Sequence, residues 1–256
     1  MTFWDHLEVL RKVFLKVVAI ALSVAVAAFC CKNILFDVIL APGHPDFITY
    51  RLFGKVAALI GADVSGLTDF KVELFSNMLT AQFMTHMKMA FWMGVIISVP
   101  YIIYELYGFV APALRSNERK YTVRIILWSY ILFMMGVLLN YFIIFPLAFR
   151  FLGTYQVSAD VPNVITITSY VDMLLTLTVM MGIMFELPVL SWFLAKLGFV
   201  NADFMKKYRR HAIVAIVAIA AIITPTTDVF TLMVVSVPIY LLYEVSIGIV
   251  RRAGSR

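Results

Sequence analysis

The sequence predicts an all-α membrane protein with about six transmembrane helices and both termini on the cytoplasmic side. Of its 256 residues, 62% are hydrophobic and 14% are charged, which leaves too little polar surface for a soluble domain. Several apolar runs exceed the roughly 18 residues that separate membrane spans from buried core helices. Lys and Arg lie in short clusters between these runs, so the net charge of +6 is typical of a membrane protein and indicates no nucleic-acid partner.

The apolar runs divide a single polytopic domain, residues 1–256, into six spans. They are predicted at residues 13–31, 81–109, 125–145, 170–197, 212–223 and 229–250. No small-residue cleavage site follows the first run, so we expect it to remain as a span. The third span is expected to end at Pro146, and the fourth to kink at Pro188.

The fifth span is short. Its twelve residues cover about 18 Å as a helix, so it either thins the bilayer or is completed by neighbouring segments. Between the first two spans, Gly and Pro interrupt a long stretch in which short helices are expected at 52–60 and 68–79. We find no internal repeat, which argues against an inverted-repeat transporter.

The distribution of positive charge predicts the orientation. Fifteen of the 21 Lys and Arg residues fall on the side that holds both termini, in the clusters at 11–16, 115–124, 196–210 and 251–256. Five fall on the other side, and Lys88 lies within a span. By the positive-inside rule, both termini are predicted to be cytoplasmic.

Glu186 is the acidic residue with the clearest functional implication, because it lies near the middle of the fourth span. An ionisable group at that depth costs at least about 2.5 kcal/mol, so it usually faces protein or water. It is either a polar site for proton movement or a partner helix, or a protonated, hydrogen-bonded group that serves packing. Pro188, two residues later, frees a backbone carbonyl that other polar groups must satisfy.

The other acidic residues have simpler explanations. Asp172 and Asp228 lie near span ends on the outer side, where a solvated helix cap is the favoured explanation. Glu105 and Glu244 each follow a Tyr near a cytoplasmic end, where Tyr is a usual interface anchor. Glu118 lies among Arg and Lys in a short cytoplasmic loop; it is either a surface ion pair, which charge alone favours, or a carboxylate offered to a cationic ligand.

No sequence pattern predicts catalysis. The chain has no nucleophile–base pairing, Walker loop, HExxH or CxxC pattern. Cys30 and Cys31 are adjacent, which gives neither a metal-ligand spacing nor a staple between distant segments. The sequence therefore predicts neither an enzyme nor a metal site.

A family resemblance is carried by residues spread along the whole chain. They are His6, Leu7, Leu10 and Arg11; Pro100, Tyr104, Glu105, Phe109, Pro112, Leu114, Glu118 and Arg119; Gly136, Tyr141, Phe145, Pro146 and Phe149; and Phe185, Glu186, Pro188, Val189, Gly198, Arg209, Arg210, Thr224, Pro225, Asp228, Pro238, Tyr243 and Glu244. In this order and spacing they resemble the TatC family, the multispanning core of the twin-arginine protein translocase.

The resemblance implies a function that periodicity does not. Members of the family recognise the paired arginines of signal peptides and export folded proteins across the cytoplasmic membrane, using the proton motive force. They form a concave, glove-like wall of helices, work with single-span partners of the TatA and TatB type, are homo-oligomeric in the receptor complex, and need no cofactor.

The resemblance also implies which residues bind the signal peptide. The glutamate matching Glu118 receives the arginine pair with help from the amino-terminal segment, and Glu105 is our candidate for the second arginine. The implied signal-peptide residues are Glu118, Glu105, Arg11, Leu10, Phe109 and Arg119. Glu186 matches the family's intramembrane glutamate, and Asp228 belongs to the outer-side loop.

Three positions depart from the family pattern. Val9 stands where an acid usually precedes Leu-Arg, and Glu8 lies one residue earlier, a rotation of roughly 100° on a helix. Tyr107 replaces a usual Trp, and Leu232 replaces a Gln in the sixth span.

Two other functions remain open from the residues alone. One is an ion-coupled transporter of small solutes that uses Glu186 and Lys88 as its membrane charges. The other is a membrane scaffold without transport.

Overall fold

The chain is helical along nearly all of its described length. The computed structural model describes residues 3–59, 73–110, 122–156, 158, 163–226 and 228–254. Its helices are α1 (Phe3–Cys30), α2 (Lys32–Leu40), α3 (Ile48–Leu59), α4 (Ala81–Val110), α5 (Thr122–Leu139), α6 (Phe145–Thr154), α7 (Ile167–Met184), α8 (Leu187–Lys196), α9 (Ala202–Lys207), α10 (Arg209–Ile223) and α11 (Val229–Gly254). The all-α prediction is confirmed.

Five stretches of the described chain are long and apolar enough to cross a membrane. They are Leu7–Cys30, Ala81–Phe109, Ile125–Thr154, Ile167–Lys196 and Val229–Arg252. Each corresponds to one of the predicted spans. The predicted fifth span lies in α10, whose 15 residues are about 22 Å long, so this helix is shorter than the roughly 30 Å apolar core of a bilayer.

The prediction that the third span ends at Pro146 is wrong. A π turn, Asn140–Ile144, joins α5 to α6, and the helical path continues to Thr154. Pro146 lies in the first turn of α6, where the missing N–H removes no intrahelical bond, since the first N–H groups of a helix have no acceptor in their own helix.

Helix α3 supplies the polar groups that this junction needs. In a regular helix the carbonyl of Phe142 would accept from the N–H of residue 146, which is absent in proline. The Thr49 hydroxyl donates to that carbonyl instead. The hydroxyl of Tyr50, which is 1% exposed, lies 3.0 Å from the carbonyl oxygen of Pro146, and burial raises the pKa of Tyr50 well above its usual range.

The predicted kink in the fourth span is a short break. Helix α7 ends at Met184 and α8 begins at Leu187, with Pro188 in its first turn. Glu186 occupies the position that caps α8, and its backbone carbonyl accepts from the Leu190 N–H at 2.9 Å. The break leaves the Glu186 side chain between two helices.

The segment between the first two spans is only partly helical. Helix α3 confirms the helix predicted at 52–60 and extends it at its start. The helix predicted at 68–79 is wrong for residues 73–79, and residues 68–72 lie outside the described chain. Strand β1 (Leu74–Phe75) pairs in parallel with β2 (Ile165–Thr166), and this distant backbone partner was not readable from local periodicity.

Helices α1 and α4 pack against each other along an extended contact. A Cβ atom on Gly94 of α4 would lie 2.7 Å from the carbonyl oxygen of Ala21 and from the Cβ of Ala25. Small residues at such a crossing allow two backbones to approach closely, which is the usual basis of helix association in membranes. The remaining core joins α4, α6, α7 and α11 through Met89, Phe145, Leu177 and Val235, each at most 1% exposed.

Asp172 is not the solvated cap that the sequence favoured. Its two carboxylate oxygens lie 2.8 and 3.0 Å from Nζ of Lys88, which joins α7 to α4. Both side chains are about half exposed. Lys88, which the charge count assigns to neither side of the membrane, is therefore paired with an acid on the neighbouring helix.

Candidate functional site

The site is positioned by the antiparallel contact between α1 and α4. Near the end of α1, the Phe29 ring stacks on His86 with centroids 4.1 Å apart. Near its start, Lys16 contacts Glu105. Later residues of α1 therefore meet earlier residues of α4, and the amino-terminal end of α1 lies beside the carboxyl-terminal end of α4.

Four predicted signal-peptide residues gather at this end. Because a helix rises 1.5 Å per residue, α1 at residues 10 and 11 is level with the end of α4 at Val110. Leu10 is 43% exposed, Arg11 is exposed and Phe109 is partly buried. Of the predicted signal-peptide residues, those that the structure describes at this end are Leu10, Arg11, Glu105 and Phe109.

Glu118 and Arg119 follow in the segment 111–121, which lies outside the described residues. Their assignment to the signal-peptide site stays a prediction. The segment starts where α4 ends, so it leaves the fold at the same end as the four residues described above.

Glu105 is held by two side chains that share one of its oxygens. The Tyr101 hydroxyl donates to Oε1 at 2.6 Å, and the Lys16 ammonium donates to the same atom at 3.2 Å. The Glu105 side chain is 12% exposed, whereas that of Lys16 is 58% exposed. This carboxylate is enclosed by protein, and the cation paired with it reaches solvent or lipid headgroups.

Glu186 lines a separate cleft between α4, α5 and α8. The cleft has a volume of about 300 Å³ and is lined by Ile103, Leu106, Tyr107, Ser129, Glu186, Val189, Leu190 and Phe193. Ser129 is a polar neighbour of Glu186 in the lining of this cleft. The Oε1 atom of Glu186 is buried and meets no hydrogen-bond donor in the described part of the chain. An apolar cleft thus contains one carboxyl oxygen with unused acceptor capacity.

Glu186 lies past the midpoint of its span. It follows Ile167 by 19 residues and precedes Lys196 by 10, and its cleft reaches Tyr107, three residues before the end of α4. The carboxyl group therefore lies about two thirds of the way along the span, toward the end that carries Glu105.

Comparisons with known proteins identify the family and cover most of the chain. The family model for TatC, the Sec-independent protein translocase protein, matches residues 5–238. The chain belongs to the TatC family. It is a membrane component of the twin-arginine protein translocation system, and the resemblance read from the sequence is confirmed.

Two curated TatC relatives align with this chain over nearly their whole length. The Sec-independent protein translocase protein TatC of Blattabacterium sp. subsp. Periplaneta americana is 36% identical over 252 residues, covering 97% of this chain and 94% of the relative. That of Carboxydothermus hydrogenoformans is 34% identical over 252 residues, covering 98% and 93%.

Solved TatC structures share the fold. A crystal structure of the twin arginine translocase receptor TatC is 29% identical, with a TM-score of 0.76, and covers 98% of this chain and 100% of its own. A second, in DDM, has a TM-score of 0.78 at 29% identity and covers 96% and 99%.

The structure places two departures from the TatC pattern. Tyr107 lines the cleft beside Glu186. Leu232 packs against the main core as a partly buried apolar residue. Tyr107 thus belongs to the Glu186 cleft, and Leu232 belongs to the apolar core of this TatC chain.

Sequence reasoning missed Lys16 and Tyr101. Tyr101 lies four residues before Glu105, which places the two on one helix face, and this spacing was a usable signal. Lys16 lies at the start of an apolar run and 89 residues from Glu105. Nothing local to Lys16 indicates which helix it contacts.

On the opposite end of the fold, Asp228 caps α11, as the sequence favoured. The Thr231 N–H donates to its Oδ1 at 2.6 Å. Partial burial opposes ionisation of Asp228, but the Thr231 N–H bond and the nearby polar groups outweigh this effect and hold its pKa below the usual range. The positive end of the α11 dipole also stabilises the negative charge of Asp228.

Proposed function

We propose that this protein receives twin-arginine signal peptides and exports folded proteins across the cytoplasmic membrane, using the proton motive force. The observation that carries the proposal is the enclosed carboxylate of Glu105 at the end of α4 in a chain of the TatC family. The solved relative is called a translocase receptor, which supports a receptor role here. We expect single-span partners of the TatA and TatB type and a homo-oligomeric receptor complex.

The proposed recognition uses two carboxylates for two arginines. A guanidinium binds a carboxylate through two parallel hydrogen bonds, which an ammonium cannot reproduce. Glu118 receives one arginine and Glu105 the other, each pairing being worth about 2 kcal/mol where headgroups partly shield it. Arg115, Arg119 and Lys120 repel cationic peptides that do not present the correct pair.

Leu10, Arg11 and Phe109 complete the proposed binding surface. They lie at the end of the α1–α4 pair from which the Glu118 segment leaves, so a peptide held by Glu105 and Glu118 would meet them.

The decisive experiment is crosslinking of a twin-arginine signal peptide to the purified protein, with a Lys-Lys peptide as control. Glu118→Gln keeps the shape of the side chain and removes its charge, so it should weaken crosslinking while membrane insertion is unchanged. Glu118→Arg should weaken it further by repulsion. Equal crosslinking of wild type and both variants would reject the proposed site.

The proposed topology has six spans in a single domain, a concave arrangement, and both termini in the cytoplasm. Arg209, at the start of α10, contacts Glu244 on α11 at 2.6 Å. Only five residues, 224–228, separate the other ends of these two helices along the chain. This antiparallel contact supports α10 as a short sixth crossing, because it puts the basic residues at 206–210 and 251–252 at the same end.

Single cysteines test this topology. In a background lacking Cys30 and Cys31, we expect Asn163→Cys to react with an impermeant reagent in intact cells and Asn117→Cys to remain unlabelled. The reverse pattern would overturn the orientation.

For Glu186 we propose a polar site inside the membrane for a partner helix or a proton. The unused acceptor capacity of its buried Oε1 supports this role. Glu186→Gln should insert and fold normally, whereas Glu186→Ala should weaken partner copurification or transport. Normal export with unchanged copurification of partners in Glu186→Ala would leave Glu186 a packing residue.

The ion-coupled transporter alternative used Lys88 and Glu186 as its membrane charges. Lys88 is paired with Asp172, and Glu186 lies in a cleft whose lining residues do not include Lys88. The two residues therefore form separate sites among the described residues, which favours the translocase.

A further inference from the structure

We propose that Lys16 is a resident competitor that occupies Glu105 until a signal-peptide arginine displaces it. This inference rests on the proposed function, because it assigns Glu105 to an arginine of the peptide. In the resting protein the carboxylate is paired with a lysine from the same chain, so the peptide must replace an existing ion pair. Lys16 thereby sets the affinity of the site.

The geometry leaves room for the exchange. Lys16 and Tyr101 both donate to Oε1 of Glu105, and Oε2 accepts from no residue in the described ranges. A guanidinium presents two N–H groups in a plane, and these match the two oxygens of a carboxylate. An incoming arginine can therefore bind Oε2 and take over the position of the ammonium at Oε1, giving two bonds where Lys16 makes one.

Burial explains why the resident cation is needed. The Glu105 side chain is 12% exposed, and a carboxylate enclosed to this degree is costly without a positive partner. Lys16 supplies that partner while no peptide is bound. The ammonium of Lys16 thus partly offsets the cost of enclosing this carboxylate in the resting receptor.

Exposure explains how the cation can leave. The Lys16 side chain is 58% exposed, and its flexible four-carbon stem lets the ammonium turn into water or headgroups without becoming buried. Displacement therefore creates no uncompensated charge in the protein. The exchange needs only a rotation of the lysine side chain.

The test compares two substitutions whose effects on peptide affinity are opposite. Lys16→Met removes the competitor, so it should raise the apparent affinity for a twin-arginine signal peptide by about two- to fivefold, the range that a partly exposed ion pair allows. Lys16→Arg supplies a guanidinium that fills both oxygens, so it should lower that affinity. If Lys16 served only to hold α1 against α4, Arg would be tolerated and Met would be the harmful change.

Lys12→Met is the matched control for charge. Lys12 lies one turn before Lys16 on the same helix and pairs with Glu8 at 2.8 Å, so its removal changes the net charge equally without touching Glu105. We expect wild-type peptide affinity for Lys12→Met. An equal gain in Lys12→Met and Lys16→Met would overturn the inference in favour of a general charge effect.

Glu105→Gln completes the design. In this background Lys16→Met should have no effect on peptide affinity, and a persisting gain would overturn the inference. If Lys16→Met proves unstable in detergent, Lys16→Arg alone still tests the inference. Unchanged or tighter binding of the signal peptide by Lys16→Arg would show that residue 16 does not compete for Glu105. A third result would separate the two proposals. If Glu118→Gln weakens crosslinking but neither Lys16 variant changes peptide affinity, Lys16 is not a competitor and the proposed receptor function stands. No specific crosslinking by the wild type would reject both.

Discussion

Two clusters, one on α4 and one on α11, are built from the same parts. Each has a glutamate, a tyrosine four residues earlier on the same helix face, and a cation from a neighbouring helix. On α4, Tyr101 and Lys16 bond Glu105. On α11, the Tyr240 hydroxyl donates to Glu244 at 3.1 Å, and Arg209 reaches the same carboxylate from α10.

The two clusters differ in how the carboxylate oxygens are used. Tyr240 takes Oε1 of Glu244 and Arg209 takes Oε2, so both oxygens are occupied. Both donors of the α4 cluster meet on Oε1 of Glu105. A carboxylate with both oxygens engaged links two helices, whereas one with a free oxygen can accept a new partner. This difference distinguishes a structural ion pair from a binding site better than charge alone does.

The largest expected difference between the clusters is in stability. Arg209→Met removes a short charge-assisted bond and leaves Glu244, at 29% exposure, with only Tyr240, so we expect a loss of about 2 kcal/mol in the free energy of unfolding. Lys16→Met removes a longer bond from a more exposed cation and should cost less than about 1 kcal/mol. Unfolding of both variants in detergent measures the difference, and equal losses would contradict the distinction.

The next largest difference is in peptide binding. Glu105→Gln should weaken binding of a twin-arginine signal peptide about tenfold, since a neutral amide loses the charge-assisted pairing, equivalent to about 1.4 kcal/mol. Glu244→Gln makes the same chemical change in the linking cluster, so its binding should stay within about twofold of the wild type. Titration of a labelled peptide checks both. Similar weakening in the two variants would show that the clusters act alike.

Asp228 provides a third carboxylate for comparison with Glu105 and Glu244. Among the described residues, it accepts a hydrogen bond from the Thr231 N–H and forms no ion pair. Its lowered pKa means that its contribution to stability is present above the unfolded value of 3.8 and is lost as pH falls through the folded value. Asn also caps helices well, so Asp228→Asn should change stability at pH 7 by only a few tenths of a kcal/mol. Unfolding at pH 7 and near pH 3 should show a smaller acid-dependent loss in Asp228→Asn than in wild type. An identical loss would mean that Asp228 is not responsible.

The sequence was informative where structure is local or charge-based. Run lengths located the helices of five spans and the shortness of α10, and Pro188 marked the break before α8. Ordered motifs identified the family. These features depend on composition and spacing along the chain, which a single sequence contains.

Pairings between distant segments were not predictable. Lys16 and Glu105 are 89 residues apart, and Lys88 and Asp172 are 84 apart. Each partner has an ordinary local explanation, and only the packing of α1, α4 and α7 brings the charges together. The error at Pro146 has the same origin, because the hydroxyl that replaces its missing N–H comes from Thr49, in another segment.

The bond between Thr49 and the Phe142 carbonyl has a consequence for how the chain is made. The third span can continue past its proline at low cost only when α3 is in position to satisfy the exposed carbonyl. During synthesis residue 49 emerges well before residue 142, so the donor already exists when its acceptor enters the membrane. The segment that carries Thr49 is therefore synthesised before the third span, whose Phe142 carbonyl needs its hydroxyl.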